Sequence, residues 1–225
     1  MKETLLDKIP KFMRIICVTL LLIVDIAMFS ELYAQPDGWE RDTSKDRKIE
    51  VNYHVGYRMD KNGEKAQLME YTASTLTNLP IDKCVSAMRN VSLHEKFMGD
   101  TEESFSLEAI SENQWIAYYF FNPPWPMPDN DCVMDVNLEK SDDGKTYSFN
   151  GESVPDLIVK KKVKRIEYYE YIFKFEEKED KKVEFSISVK LTPVGSFPNW
   201  MIKTWFPKGP IDFIENFLEV ADKQL

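Results

Sequence analysis

The sequence VEFSISVKL, at residues 183–191, alternates strictly between apolar and polar side chains. A two-residue period of this kind is typical of a β-strand with one buried face. The same alternation recurs at residues 49–57, 69–73, 105–107, 147–149 and 169–175. Residues 115–121 and 132–136 are apolar at successive positions, which is typical of strands covered on both faces. Together these patterns predict a largely antiparallel sheet of seven or more strands.

Two predicted helices accompany these strands. The first has Pro80 in its opening turn and apolar residues at helical spacing, namely Ile81, Cys84, Val85 and Met88. The second begins at Gly209 and Pro210 and follows the last predicted strand. Its apolar face comprises Ile211, Ile214, Phe217, Leu218 and Ala221, and Phe213 and Val220 widen it. A long amphipathic helix after many strands must cover an apolar surface, so we predict an α+β fold in which a curved antiparallel sheet wraps this helix.

Charge and length limit the function classes. The chain has 225 residues and a formal net charge of −9, with no internal repeat and no Pro-, Gly- or Ser-rich linker. Nucleic-acid binding requires a basic surface, so nucleic acid is excluded as an expected partner. Residues 35–225 have the size of one domain, and we expect a monomer.

The first 34 residues have the pattern of a signal peptide. Lys8, Lys11 and Arg14 precede an apolar run at 15–24, which is shorter than the roughly 20 residues of a membrane-spanning helix. The sequence ending at Ala34 resembles a cleavage site, although Leu32 is not a small residue. We therefore expect an exported protein, periplasmic or secreted, with an uncleaved membrane anchor as the alternative.

Motifs for metal, nucleotide or nucleophilic chemistry are absent from the sequence. His54 and His94 have no metal-ligand spacing, and there is no C-x-x-C, H-E-x-x-H or G-x-S-x-G motif. We expect no cofactor and no metal. Cys84 and Cys132 remain after the predicted cleavage, and they are interpreted either as a disulfide or, preferably, as two small buried residues.

Two motifs resemble those of the START lipid-binding domains, members of the helix-grip (SRPBCC) superfamily. The segment FNPPWPMPDNDCV, at 121–133, is similar to the family's Pro-Trp-Pro motif followed by an apolar strand. The segment LTPVGSFPNWM, at 191–201, is similar to the turn that precedes the closing helix. The resemblance covers nearly all of residues 37–223. It implies a helix-grip fold with an apolar tunnel that binds one lipid, sterol or similar molecule, here in an exported, bacterial-type member.

The candidate ligand contacts come from the strands, loops and closing helix of this fold. They are Tyr71, Tyr119, Phe121, Trp125, Asp131, Met134, Arg165, Phe197, Trp200, Ile214 and Phe217. Asn130 stands where many relatives have Arg, so we expect a neutral, largely apolar ligand rather than a charged head group.

Several of these residues have a structural alternative. Trp125 either gates the tunnel or packs its own proline-rich loop, and we favour packing. Asp131 either holds a ligand or hydrogen-bonds backbone amides beside the loop, and we favour the latter. Arg165 either points inward towards a ligand oxygen or, preferably, outward as a surface charge. The apolar cluster of Phe197, Trp200, Met201, Trp205 and Phe206 either contacts a membrane during loading or packs the helix onto the sheet.

The leading functional interpretation is non-catalytic binding, and transfer, of a lipid or other hydrophobic small molecule, with transient membrane contact. A cyclase- or hydrolase-like enzyme on the same fold is the first alternative, because fold alone does not determine function. A ligandless adaptor domain, whose tunnel has collapsed around its aromatic side chains, is the second.

The signal segment gives a direct prediction about the mature chain. Expressed with its own amino terminus in a host that exports it, the protein should be recovered outside the cytoplasm and begin near Gln35. Intact-mass measurement with amino-terminal sequencing tests this. A recovered chain that still carries residues 1–34 and sediments with membranes would instead indicate the uncleaved anchor.

Overall fold

The strands and helices follow one another in an order close to the predicted one. The computed structural model describes residues 38–46, 48–157 and 162–224, and the predicted signal segment lies outside these ranges. The strands are β1 Glu40–Thr43, β2 Glu50–Met59, β3 Lys65–Thr77, β4 Thr101–Ala109, β5 Gln114–Phe121, β6 Asn130–Lys140, β7 Thr146–Ser153, β8 Lys164–Arg165, β9 Tyr169–Glu177 and β10 Val183–Leu191. The helices are α1 Ile81–Arg89, a 3₁₀ helix Val91–Lys96, α2 Asn199–Lys203 and α3 Lys208–Asp222.

The strands form one sheet in the order β1-β2-β3-β10-β9-β7-β6-β5-β4, with β8 beside β6. All pairs along this order are antiparallel, and only the short β8 pairs in parallel with its neighbour among the described strands. The predicted α+β fold with an antiparallel sheet is therefore confirmed. None of the helices within the described residues is long and apolar enough to cross a membrane.

Strand alternation places one face of the sheet in the main core. In β10 the buried residues are Val183, Phe185, Ile187 and Val189, as the two-residue period predicted. The apolar run of β5 is buried on both faces, also as predicted. Its residues Ile116, Tyr118 and Phe120 form a second, smaller cluster with Val133 of β6 on the outer face.

Helix α3 covers the inner face of the sheet. Its buried residues are Pro210, Phe213, Ile214, Phe217 and Ala221, while Ile211, Leu218 and Val220 are only partly buried. The apolar residues predicted for this helix are thus all at least partly buried, but the centre of the buried face lies nearer Phe213 than predicted. The Phe217 ring lies 4.7 Å from that of Phe185, 5.2 Å from that of Phe97 and 5.4 Å from that of Phe175, measured between ring centroids. Helix α1 packs beside α3 and closes this side of the core.

We expect Phe217→Ala to lower the free energy of unfolding by about 3–5 kcal/mol, because it leaves a cavity among three rings. Leu76→Ala is the matched control, since Leu76 is more than half exposed and its loss should change stability by about 0.5 kcal/mol or less. Urea denaturation followed by circular dichroism measures both. Equal effects of the two substitutions would contradict the placement of α3 over the sheet.

Candidate functional site: a tyrosine-lined interior beneath an aromatic rim

Strand register brings two loops of interest to the same end of the sheet. Phe121 at the end of β5 pairs with Asn130 at the start of β6. Leu191 at the end of β10 pairs with Tyr169 at the start of β9, and the end of β7 at Ser153 lies between these two pairs in the sheet. The β5–β6 connection, 122–129, and the segment after β10, 192–207, therefore emerge at one end, which we call the mouth.

Exposed indole rings mark the mouth. Trp125 is 92% exposed and Trp200, at the start of α2, is 66% exposed. The preferred interpretation of Trp125 as a packing residue of its loop is therefore wrong, because a side chain this exposed packs against almost nothing. The proline-rich loop holds its indole ring in solvent instead.

The apolar cluster before α3 divides between its two interpretations. Phe206 is buried and stacks on Tyr53 with ring centroids 4.4 Å apart, so it packs the segment onto the sheet. Trp205 makes an edge contact with Tyr71 at 5.5 Å. Half-buried Phe197 is held by its backbone, whose carbonyl accepts a hydrogen bond of 2.8 Å from the Gln67 side chain. Trp200 is the most exposed member of this cluster and is therefore the one best placed to touch a surface.

Below the mouth, tyrosine side chains converge on the inner face of the sheet. Tyr71 of β3 and Tyr171 of β9 both pair with Val189 of β10, so they flank it on neighbouring strands. The Tyr169 ring lies 5.8 Å from that of Tyr171. Gly151 of β7 makes room for Tyr171, because a Cβ atom at position 151 would lie 2.3 Å from the tyrosine ring. The register and this glycine direct the ring towards β6 and β5.

Tyr119 of β5 joins this group from the other side and is held by His94. The Tyr119 hydroxyl lies 2.8 Å from His94 Nδ1, and His94 Nε2 lies 2.7 Å from the carbonyl oxygen of Met88. Because a carbonyl oxygen only accepts, Nε2 donates to Met88. In the neutral imidazole, Nδ1 then accepts from the Tyr119 hydroxyl. Burial lowers the pKa of His94 to about 4, consistent with this tautomer. Sequence reasoning missed His94, since its partners are not spaced as a motif.

Burial keeps the phenol groups protonated. It raises the pKa of Tyr71 and Tyr171 above the ordinary value and that of Tyr119 and Tyr169 further, with neighbouring tyrosine hydroxyls adding to the effect in the latter two. Burial likewise raises the pKa of the Cys132 thiol beside them. The interior thus contains neutral hydrogen-bonding groups in an otherwise apolar surrounding.

Two of the four hydroxyls are unsatisfied. Within the part of the chain that the structure describes, the hydroxyls of Tyr71 and Tyr169 have no hydrogen-bond partner, although these residues are only 8% and 7% exposed. The side-chain atoms that are fully enclosed without a partner, among the described residues, are Thr101 Oγ1, Trp115 Nε1 and Thr192 Oγ1, so the Tyr71 and Tyr169 hydroxyls retain some access to water. Covering such a hydroxyl without giving it a partner would cost about 1–3 kcal/mol. We call Tyr71, Tyr119, Tyr169 and Tyr171 the tyrosine cluster.

Asp131 and Arg165 occupy the opposite face of the sheet. Arg165 donates from Nε to Asp131 Oδ1 at 2.9 Å and from Nη2 to Oδ2 at 2.7 Å, and the Tyr118 hydroxyl donates to the same carboxylate at 3.3 Å. The Arg165 side chain is 9% exposed and the Asp131 side chain is 1% exposed. Arg165 therefore faces away from the inner core, as the preferred interpretation had it, but it is a buried, paired group rather than a surface charge. Asp131 contacts a side chain rather than backbone amides, so its preferred interpretation is also corrected.

This ion pair fixes the far side of the mouth. Arg165 also donates from Nη1 to the carbonyl oxygens of Pro155 and Leu157, at 3.2 and 3.3 Å. It thereby ties the chain after β7 to the strand that follows the Trp125 loop. The structure does not bring Asp131 and Arg165 together with Tyr71 and Tyr119, so a role for them in direct ligand contact remains a prediction without support from this geometry.

The remaining candidates lie at different depths. Phe121 is half-buried and stacks on Tyr119 at 6.1 Å, next to the mouth. Met134 is fully buried, with its sulfur 3.2 Å from the Cys132 sulfur. Ile214 and Phe217 are fully buried in α3. Phe217 packs against Phe175 and Phe185 below the tyrosine cluster, and we call these rings the phenylalanine layer. Their roles as ligand contacts stay predictions.

Cys84 and Cys132 are both free and buried, so the disulfide interpretation is wrong and the preferred one is confirmed. The described ranges contain no group of three His, Cys, Asp or Glu side chains arranged to hold a metal ion.

We expect Asp131→Asn to lower the free energy of unfolding by about 3–5 kcal/mol, since it leaves the Arg165 guanidinium buried beside a neutral amide. Glu50→Gln is the matched control, because its ion pair with Arg41 is half exposed and should contribute less than about 1 kcal/mol. Chemical denaturation at pH 7 compares the two. Similar small losses for both variants would show that the Asp131–Arg165 pair does not stabilise the fold.

His94 gives stability a pH dependence of defined sign. Its pKa is about 4 in the folded protein and 6.5 in the ordinary state, so the unfolded chain binds the proton more readily between these values. The contribution of His94 to the free energy of unfolding should therefore be fully present above pH 6.5. It should be lost as the pH drops towards 4, which lowers the free energy of unfolding by up to about 3 kcal/mol.

His94→Gln removes this titration, so the stability difference between the parent protein and the variant should shrink as the pH falls from 7 to 4.5. Denaturation curves at several pH values measure it, and His54→Gln on the exposed side of β2 is the control. A difference that is constant across this range would contradict the buried, neutral state of His94.

Comparisons with known proteins agree with this architecture. No protein-family model matches the chain, and no curated protein sequence matches it. Among solved structures, a STAR-related lipid transfer protein from Xanthomonas axonopodis superposes with a TM-score of 0.68 at 21% identity, covering 83% of this chain and 100% of that one. Human StAR-related lipid transfer protein 5 gives a TM-score of 0.65 at 15% identity, covering 92% and 97%.

An aromatase/cyclase from Streptomyces is also similar, with a TM-score of 0.51 at 7% identity, covering 69% of this chain and 94% of that one. At these identities the likeness concerns the fold. It agrees with the resemblance found in residues 121–133 and 191–201: the chain has the START-domain form of the helix-grip fold.

Proposed function

We propose that the protein binds a hydrophobic small molecule, such as a lipid or sterol, inside the fold beneath α3 and does so without catalysis. The observation that carries this proposal is the pair of unsatisfied hydroxyls of Tyr71 and Tyr169 in an apolar interior. A bound molecule would supply the missing partner. The solved structures named as lipid transfer proteins, which share this fold, support the same class of ligand.

Entry would occur at the mouth. The 122–129 connection and the 192–207 segment separate, the ligand enters, and α3 closes over it. Trp125 and Trp200 are exposed on these two segments, together with Met127, and indole rings favour the membrane–water interface. The net charge of −9 disfavours anionic membranes. Transient contact with a neutral lipid surface during loading, and hence transfer between membranes, is part of the proposal.

The hydrophobic effect is sufficient for useful affinity. Burial of apolar surface stabilises by about 25 cal/mol per Å², so a ligand that buries about 500 Å² gains about 12 kcal/mol before the costs of association. Those costs are several kcal/mol or more, which leaves room for micromolar or tighter binding.

An enzyme is the alternative that the Streptomyces aromatase/cyclase keeps open. The His94–Tyr119 pair is the candidate acid–base group in the interior. Its geometry favours binding over catalysis, because His94 uses Nε2 on the Met88 carbonyl and Nδ1 on Tyr119. Burial also raises the pKa of Tyr119, which makes the phenol a weaker proton donor at neutral pH.

The adaptor alternative requires an interior filled by its own side chains. The phenylalanine layer around Phe217 satisfies this requirement in the deeper half of the core. The tyrosine cluster distinguishes this protein from such an adaptor, because the hydroxyls of Tyr71 and Tyr169 have no partner among the described residues and are available to a ligand. Export of the protein, with ligand exchange outside the cytoplasm, is proposed from the sequence of residues 1–34.

The first test is native mass spectrometry of the protein purified without detergent, followed by solvent extraction of any bound molecule. We expect one apolar molecule per chain. Val189→Phe should reduce occupancy, since Val189 lies between Tyr71 and Tyr171 and the larger ring takes the space beside them. Ile172→Phe on the exposed side of β9 is the control and should retain the ligand. A protein that is empty and takes up no molecule from a diverse lipid mixture would contradict the proposal.

A further inference from the structure

The chemistry of the tyrosine cluster specifies which ligands can bind. Each phenol hydroxyl can donate one hydrogen bond and accept others. Tyr119 already donates to His94 and interacts with Tyr171, whereas Tyr71 and Tyr169 have no partner among the described residues. The unoccupied hydrogen-bonding capacity therefore lies at Tyr71 and Tyr169, just below the mouth.

The surroundings of the cluster contain no charge that could balance an ionised ligand. The buried polar or charged residues other than tyrosine, within the described ranges, are Ser44, Gln67, Thr75, His94, Ser104, Asn130 and Asp131. None is a lysine or arginine, and both nitrogens of His94 are already hydrogen-bonded. Arg165 is on the opposite face of the sheet and is paired with Asp131. A carboxylate or phosphate on the cluster would thus be a buried, uncompensated charge, which is strongly unfavourable.

A purely hydrocarbon ligand fits the cluster equally poorly. It would shield the hydroxyls of Tyr71 and Tyr169 from water without giving them a partner, so binding would incur the cost of two unsatisfied groups. An uncharged oxygen atom on the ligand removes that cost. A hydroxyl can donate and accept, and a ketone or ester carbonyl can accept from both tyrosines.

We propose that Tyr71 and Tyr169 form a recognition site for a single uncharged oxygen-bearing head group, so that the protein selects neutral amphipathic ligands over both fatty acids and hydrocarbons. This inference rests on the proposed function of binding a hydrophobic molecule in the same interior. In the bound state the head group lies at the tyrosine cluster, and the apolar body extends from it towards the mouth.

The test compares three probes of equal chain length on the full chain: 1-octadecanol, octadecanoic acid and octadecane, each radiolabelled and supplied from cyclodextrin at pH 8. Cholesterol and cholest-5-ene form a second matched pair with a different body. In the unaltered protein, we expect each alcohol to bind at least about 10-fold more tightly than its hydrocarbon, and more tightly than the acid. This comparison needs no variant.

The variants assign the preference to particular hydroxyls. Tyr71→Phe and Tyr169→Phe should each weaken alcohol binding about 3- to 10-fold and change hydrocarbon binding less than about 2-fold. Tyr57→Phe, on an exposed ring of β2, is the control and should change neither. Thermal unfolding of each variant confirms that the fold is retained.

The outcomes separate this inference from the function on which it rests. Binding of all probes with equal affinity, or tighter binding of the acid, would overturn the neutral-head-group site while leaving hydrophobic binding intact. An alcohol preference that survives both Phe substitutions would place the recognition elsewhere and overturn it as well. Failure of every probe to bind would contradict the proposed function itself.

Discussion

The packing of α3 against the inner face of the sheet is the interaction on which the rest of the structure depends. Phe213, Ile214, Phe217 and Ala221 are buried there, and the two phenylalanines contact rings from β9, from β10 and from Phe97 after the 3₁₀ helix. An antiparallel sheet of this size with one apolar face has no other large surface to cover it. The helix therefore covers the inner face of the sheet, and the deeper half of the interior is filled by the phenylalanine rings around Phe217.

Near the mouth, the buried polar groups on the two faces of the sheet differ in how completely they are hydrogen-bonded. On the outer face, Asp131, Arg165 and Tyr118 satisfy one another, so that side is structurally complete. On the inner face, the tyrosine cluster is only half satisfied within the described residues. The buried carboxylate on the outer face is fully paired, whereas two hydroxyls on the inner face have no partner among the described residues. This contrast favours a binding role for the inner face.

The local signals in the sequence were sufficient for the fold. Strict alternation at 183–191 predicted β10, and the apolar run at 115–121 predicted a strand buried on both faces, because these patterns depend only on neighbours along the chain. The face of α3 was predicted with its centre displaced from Phe213, since periodicity alone does not reveal how a helix is rotated against its sheet. The motif around Trp125 correctly indicated the architecture but not that the ring stands in solvent.

The candidate site was predicted less well, because it depends on contacts between distant parts of the chain. Tyr71 and Tyr119 were identified, but Tyr169 was read only as a strand residue and His94 as an isolated histidine. The burial of Arg165 and its pairing with Asp131 were missed, because Arg165 lies in a two-residue strand whose parallel pairing with β6 leaves no local pattern. The space for Tyr171 depends on Gly151, a strand glycine whose meaning becomes clear only from the neighbouring strand.

The most direct test of the central claim, that an apolar ligand lies inside the fold at the tyrosine cluster, is isotope-filtered NMR with a ¹³C-labelled ligand bound to the protein. We expect nuclear Overhauser contacts from the ligand to the ring protons of Tyr71, Tyr169 and Tyr171, and to side chains on the inner face of α3. Contacts confined to Trp125 and Trp200 would place the ligand on the surface of the mouth and would contradict the account.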